Sequence, residues 1–243
     1  MKISDSLYLA LIAIGLLYGH FVQWPAFLRR SEVDPGRARV RLCFGTMIQL
    51  WMLVAAGATL WLLEARAWGA IRLVLPHGWA LWGSTGLVLA VALNYGRTIL
   101  KLARRDRSKR IKLGNPVADK YLPHTRYELG WWLAVSLSVG FCEEFLFRGY
   151  LIFAFQPLLG LWGAAAVSVV VFALGHAYQG IRSTLGPGIV GSLLTLVVLV
   201  SGSLLPAMAL HALVDIGDGV VAWLVFRDVR PEGDMVSAPG TSA

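Results

Sequence analysis

Charge is what this sequence is short of. Only 15% of its 243 residues are Asp, Glu, Lys or Arg, whereas 57% are hydrophobic. An aqueous globule of this length cannot bury that apolar fraction, so a soluble single domain is excluded. Acidic residues are scarcer than basic ones, 14 against 22 Lys and Arg. The resulting net charge of +8 invites a nucleic-acid reading, but the basic residues cluster between long apolar runs, where they set membrane topology. No nucleic-acid partner is expected. Cysteine is nearly absent: Cys43 and Cys142 both fall in or beside apolar runs, which argues against a disulfide framework. Cys142 adjoins Glu143 and raises the question of a cysteine nucleophile, yet a small thiol packed between helices is the better reading.

In place of charge there are apolar runs long enough to cross about 30 Å of hydrocarbon. Seven are expected to span: 7–28, 42–63, 79–100, 129–155, 161–178, 188–201 and 204–226. The first is too long for a signal-peptide core and reads as a membrane helix. The fold class is therefore all-α, a polytopic transmembrane helical bundle. Residues 1–128 hold the first membrane helices and a basic connection, 129–226 a second helical unit, and 227–243 a Pro-, Gly- and Ser-rich tail expected to be disordered. Connections 29–41 and 101–128 are arginine- and lysine-rich and should face the cytoplasm, with the tail. Lys101–Lys112 reads equally as a headgroup-contacting segment or a solvated loop. Trp61, Trp68, Trp79 and Trp82, then Trp131 and Trp132, are placed for an interfacial aromatic belt. Glycines crowd the second half, where close helix packing is expected; the first three spans read as a plainer apolar surround.

Few polar residues interrupt the runs, and they are the informative ones. Each charge at the centre of a membrane helix costs about 2.5–3.5 kcal/mol on insertion scales. Glu143, Glu144 and Arg148 share one apolar segment. Glu144 and Arg148, four apart, lie on one helical face, and the simplest assignment pairs them and leaves Glu143 free for chemistry. Phe172 and His176 share a face in the next span; a lone histidine near a helix end is more often interfacial or hydrogen-bonded than catalytic. In the last span His211, Asp215 and Asp218 follow an i, i+4, i+7 stripe. Asp218, near the helix end, reads as reaching interfacial water, so His211 and Asp215 are the better candidates.

Glu143-Glu144-x-x-x-Arg148, then Phe172-x-x-x-His176, then His211-x-x-x-Asp215, resembles the motif set of the CAAX protease and bacteriocin-processing family. The resemblance covers about residues 129–226 and makes that unit the expected catalytic core. It implies a glutamic-type intramembrane endopeptidase. Glu143 would be the general base that activates a water, His176 would help hold that water, and His211 with the residue four after it would stabilise the oxyanion. Glu144, Arg148 and Phe172 would be supporting residues. No metal and no cofactor is implied. The family often has Asn where this chain has Asp215, and an ionised Asp cannot donate to an oxyanion. Either Asp215 is protonated by burial, or it orients His211 across the i, i+4 contact; the second is preferred.

The expected partners are the lipid bilayer and a membrane-associated protein or peptide substrate, lipidated or not. The expected setting is the cytoplasmic membrane of a bacterium. Two other classes fit the same residues. A metal-dependent hydrolase would use Glu, His and Asp as ligands, although a His-Glu-x-x-His helix is missing. A non-enzymatic membrane protein, such as an immunity factor, proton relay or transporter, would use them as a proton path.

Overall fold

The computed structural model describes residues 2–104, 120–180 and 184–227, and among these every regular element is helical. Helix α1 (Ile3–Tyr18) runs through a π-turn, Gly19–Gln23, into α2 (Trp24–Ser31). Then come α3 (Pro35–Leu63), α4 (Gly78–Ala103), α5 (Arg126–Glu143), a second π-turn (Glu144–Leu151), α6 (Ile152–Gly175), α7 (Leu185–Ser201) and α8 (Leu205–Phe226). Helix starts carry their local signals. Asp34 caps α3 by accepting from the Arg37 N–H at 2.9 Å with Pro35 behind it, and Thr125 caps α5 by accepting from the Glu128 N–H at 3.2 Å.

Five helical runs are long and apolar enough to cross a membrane: Ile3–Ser31, Pro35–Leu63, Gly78–Ala103, Arg126–Gly175 and Leu205–Phe226. The chain is an integral, multi-pass helical membrane bundle. The span count differs from the seven expected. The fourth and fifth expected spans share the run Arg126–Gly175, interrupted at Gly160, whose φ of 68° and ψ of 174° leave the helical region. The sixth corresponds to the shorter helix α7. Outward-facing Leu7, Ile14, Phe21, Trp82, Leu93 and Leu137 are exposed, as side chains that meet lipid should be.

The core forms where α8 lies along α5, with α3 on the other flank of α5. Close approach is built on glycine: a Cβ at Gly140 would sit 2.7 Å from Ala212, and one at Gly219 would overlap the Trp132 ring. Helix α4 rests on α8, touches α7 and turns the rest of its surface outward.

Three expectations are corrected here. Trp61 belongs to the core, fully buried and packed on Phe153, because Arg66 covers it with a guanidinium 5.2 Å from the ring centre. Trp79 and Trp82, by contrast, are exposed. The connection expected over 29–41 is short, since α3 begins at Pro35; Arg39 is buried inside it, donating to Glu128 at 2.9 and 3.4 Å. The first helices are no plain surround either. Asp5 of α1 accepts from Arg66 and from the Tyr150 hydroxyl, both at 2.7 Å, which ties the chain's start to the second π-turn. Most of the basic connection, 105–119, and the tail, 228–243, lie outside the described residues.

Candidate active site

The site is built around the second π-turn. Glu143 ends α5 and Glu144 opens the turn. Widened turns of this kind are rare and gather at functional sites, because the extra residue re-aims side chains and loosens the backbone ladder. Ser168 of α6 meets one backbone acceptor there by donating to the Phe147 carbonyl at 2.8 Å.

Glu144 and Arg148 are both fully buried and joined at 2.9 Å. Arg148 also donates to the Gly191 carbonyl at 3.0 Å and the Thr195 hydroxyl at 3.3 Å, and its guanidinium lies 4.2 Å from the centre of the Phe172 ring. The charge is thus paired, hydrogen-bonded and stacked, which is what burial demands of an arginine. Gly191 is required by the same geometry, since a Cβ there would come 2.9 Å from both the guanidinium and Phe172. Sequence reading takes Gly191 only as one of the close-packing glycines of the second half and misses Thr195. Their one signal is a hydroxyl in mid-helix four residues after a glycine.

His211 is buried against this pair. Its Nδ1 lies 2.8 Å from Glu144 Oε1, a hydrogen bond in which the ring donates. That fixes the ring so that Nε2 points into the cavity, 3.9 Å from Glu143 Oε2 and 3.8 Å from Asp215 Oδ2. Both separations exceed a direct hydrogen bond and leave room for a bridging water. Glu143 Oε2 is buried with no hydrogen-bond partner among the described residues.

Asp215 stands at an ion-pair separation from Nε2 rather than at hydrogen-bond distance, and Glu144 holds the other ring nitrogen. Asp218 is exposed, as expected of a residue reaching interfacial water, and the Tyr95 hydroxyl of α4 also donates to it at 2.8 Å. His176 sits just past α6, its Nδ1 donating to the Phe172 carbonyl at 2.9 Å and its ring 4.9 Å from the Phe172 ring. Cys142 is fully buried in the apolar core and is a free thiol.

Glu143, His176, His211, Asp215 and Asp218 all line one cavity of about 960 Å³, at the upper end of the range for ligand pockets. Its other wall comes from the first helices, with Gln23, Trp24, Thr46 and Gln49. Sequence reading passed over these polar residues, although Thr46 and Gln49 stand three apart on one face of an apolar helix. Aromatic side chains gather at one end: Trp24 packs on Tyr178 at 4.8 Å, and Tyr121 on Trp132 at 6.1 Å. Burial, with Tyr178 nearby, pushes the Tyr121 phenol up to about 12. Among the described residues no three His, Cys, Asp or Glu side chains converge closely enough to hold a metal ion.

Fold and site together define a helical membrane protein with a polar, water-sized gap enclosed between its helices. Residues 125–217 match the family model described as Rce1-like, type II CAAX prenyl endopeptidase. That segment carries every motif named above, and the match supports the resemblance to the CAAX protease and bacteriocin-processing family, and with it a CAAX-type intramembrane endopeptidase in general. No curated protein and no solved structure gives a significant match.

Proposed function

We propose that this protein is a glutamic-type endopeptidase that hydrolyses a peptide bond of a membrane-associated substrate, with Glu143 as general base. The observation that carries the reading is the unpartnered, buried Glu143 oxygen facing His211 Nε2 across 3.9 Å. A water in that gap loses a proton to Glu143 as its oxygen attacks the substrate carbonyl. His211, carrying both ring protons, keeps one on Glu144 and offers the other to the developing oxyanion. Such a donor is worth most where water is scarce. As the C–N bond breaks, Glu143 returns its proton to the leaving amine. His176, whose Nδ1 is committed to a backbone carbonyl, turns Nε2 to the water. Arg148 balances Glu144 and leaves Glu143 the carboxylate available for chemistry.

The cavity is lined by the early part of α3, the ends of α6 and α8, and the segment before α5. Arg29, Arg30, Arg37, Arg41, Arg126 and Arg227 cluster at the corresponding ends of the helices. Basic ends face the cytoplasm, so substrate enters from that side of a bacterial cytoplasmic membrane. The family description points to prenylated C-terminal peptides as the first class to test. A comparison of membrane proteomes from cells carrying wild type or Glu143→Gln tests the reading. Proteins that keep a C-terminal segment only in the variant are expected, and identical C-termini in both would refute it.

A further inference from the structure

Hydrolysis requires the scissile peptide to leave any helical conformation, and its freed N–H and C=O groups then need partners. In a bilayer an unpaired backbone group costs several kcal/mol. Apart from the residues assigned to catalysis, the wall on the family-matched side is largely apolar, with Val135, Val139, Phe147 and Val190. Polar groups without a catalytic task line both walls: Ser136, which donates to the Trp132 carbonyl, and Asp218, which accepts from Tyr95, on the catalytic side, and Gln23, Thr46 and Gln49 on the first helices. The bonding of these last three leaves capacity over. Gln49 Nε2 donates to the Gly15 carbonyl at 2.7 Å, and Gln23 Nε2 donates to Thr46 Oγ1 at 3.4 Å. Each of the two amides thus spends a single N–H on the protein, and among the described residues their carbonyl oxygens accept no hydrogen bond. Two backbone features make room for them. Gln23 lies in the first π-turn, and a Cβ at Gly45 would come 2.9 Å from its amide nitrogen.

We infer that Gln23, Thr46 and Gln49 form a backbone-binding wall that holds the substrate as an extended peptide opposite Glu143. This deepens the proposed endopeptidase reading and rests on it for the identity of the cavity. Recognition through amides makes the site tolerant of substrate side chains and selective for an unwound main chain. The N-terminal helices, outside the family-matched segment, then supply substrate binding while the second half supplies chemistry.

Binding is measured in the Glu143→Gln protein in nanodiscs, using a dansyl-labelled Leu/Ala hexapeptide and analogues in which one amide at a time is replaced by an ester. The expected result is that one or two esters weaken binding about tenfold, the scale of a single hydrogen bond. Adding Gln49→Leu or Gln23→Leu should weaken the all-amide peptide similarly and abolish the matching ester effect. Melting temperature falls by no more than about 2–4 °C, the scale of the one bond each glutamine makes to the protein. In the Glu143 protein the same changes raise KM and leave kcat. No binding of the peptide, equal binding by all variants, an ester effect that persists in the glutamine variants, or a joint fall of melting temperature and kcat would each overturn the inference, the last by making these residues helix ties only. Cleavage is read separately: activity that survives Glu143→Gln would sink the enzyme mechanism, whereas ester-insensitive binding would sink this wall alone.

Discussion

Arg148→Met gives the sharpest consequence for the buried framework. The substitution keeps most of the aliphatic volume but removes the charge from a residue with no solvent exposure. Lost with it are the bonds to Glu144 at 2.9 Å, Gly191 at 3.0 Å and Thr195 at 3.3 Å, and the packing of the guanidinium on Phe172. The larger penalty falls on Glu144, fully buried and left with His211 as its ring partner. Breaking a buried pair by removing one member costs about 3–5 kcal/mol, mostly for the charge left behind. For a chain of this size that corresponds to a fall of about 6–20 °C in melting temperature. The assay is thermal unfolding of detergent-solubilised protein followed by size-exclusion chromatography. A double variant, Glu144→Gln with Arg148→Met, should recover part of the loss because no bare charge remains. If Arg148→Met melts within about 2 °C of wild type, or the double variant is worse than the single by the full cost of a second lesion, the assignment of Arg148 as counter-charge to Glu144 is wrong.

Other predictions follow from the same distances. His211→Leu should lower kcat by about a hundredfold to a thousandfold, the scale of one oxyanion donor, while the protein still binds peptide. Asp215→Asn should keep activity within about tenfold of wild type, because 3.8 Å to His211 is no hydrogen bond and Glu144 sets the ring; a loss of several hundredfold in turnover assays would return the orienting role to Asp215. Gly219→Ala should destabilise by about 1–3 kcal/mol, since its Cβ would overlap the Trp132 ring that also donates to the Asp215 carbonyl at 2.7 Å. Unchanged melting would show that α5 and α8 are not packed this tightly.

The membrane class and helical fold were legible because apolar runs and scarce charge leave no other solution. Pairing of Glu144 with Arg148 followed from four-residue spacing, which a π-turn happens to preserve as a contact of 2.9 Å. The π-turn itself left no mark in composition, and neither did the merging of two expected spans across Gly160, because both depend on tertiary packing. Arg39 and Trp61 misled for a related reason. Each looks interfacial by residue type, yet each has a partner that makes burial possible: Glu128, far along the chain, for Arg39, and Arg66, just past the end of the same helix, for Trp61. The wall of Gln23, Thr46 and Gln49 was visible as polar residues in apolar helices, but which side they face required the bundle. Asp215 shows the limit of periodicity: four-residue spacing put it near His211 without saying which ring nitrogen was already taken.

The central claim is that Glu143 primes a water. Turnover of one purified, reconstituted substrate by wild type and by Glu143→Gln, at matched melting temperature, tests it most directly. The account predicts a fall of about a hundredfold to ten-thousandfold in kcat with peptide binding retained. Cleavage by Glu143→Gln within a few-fold of wild type would contradict it.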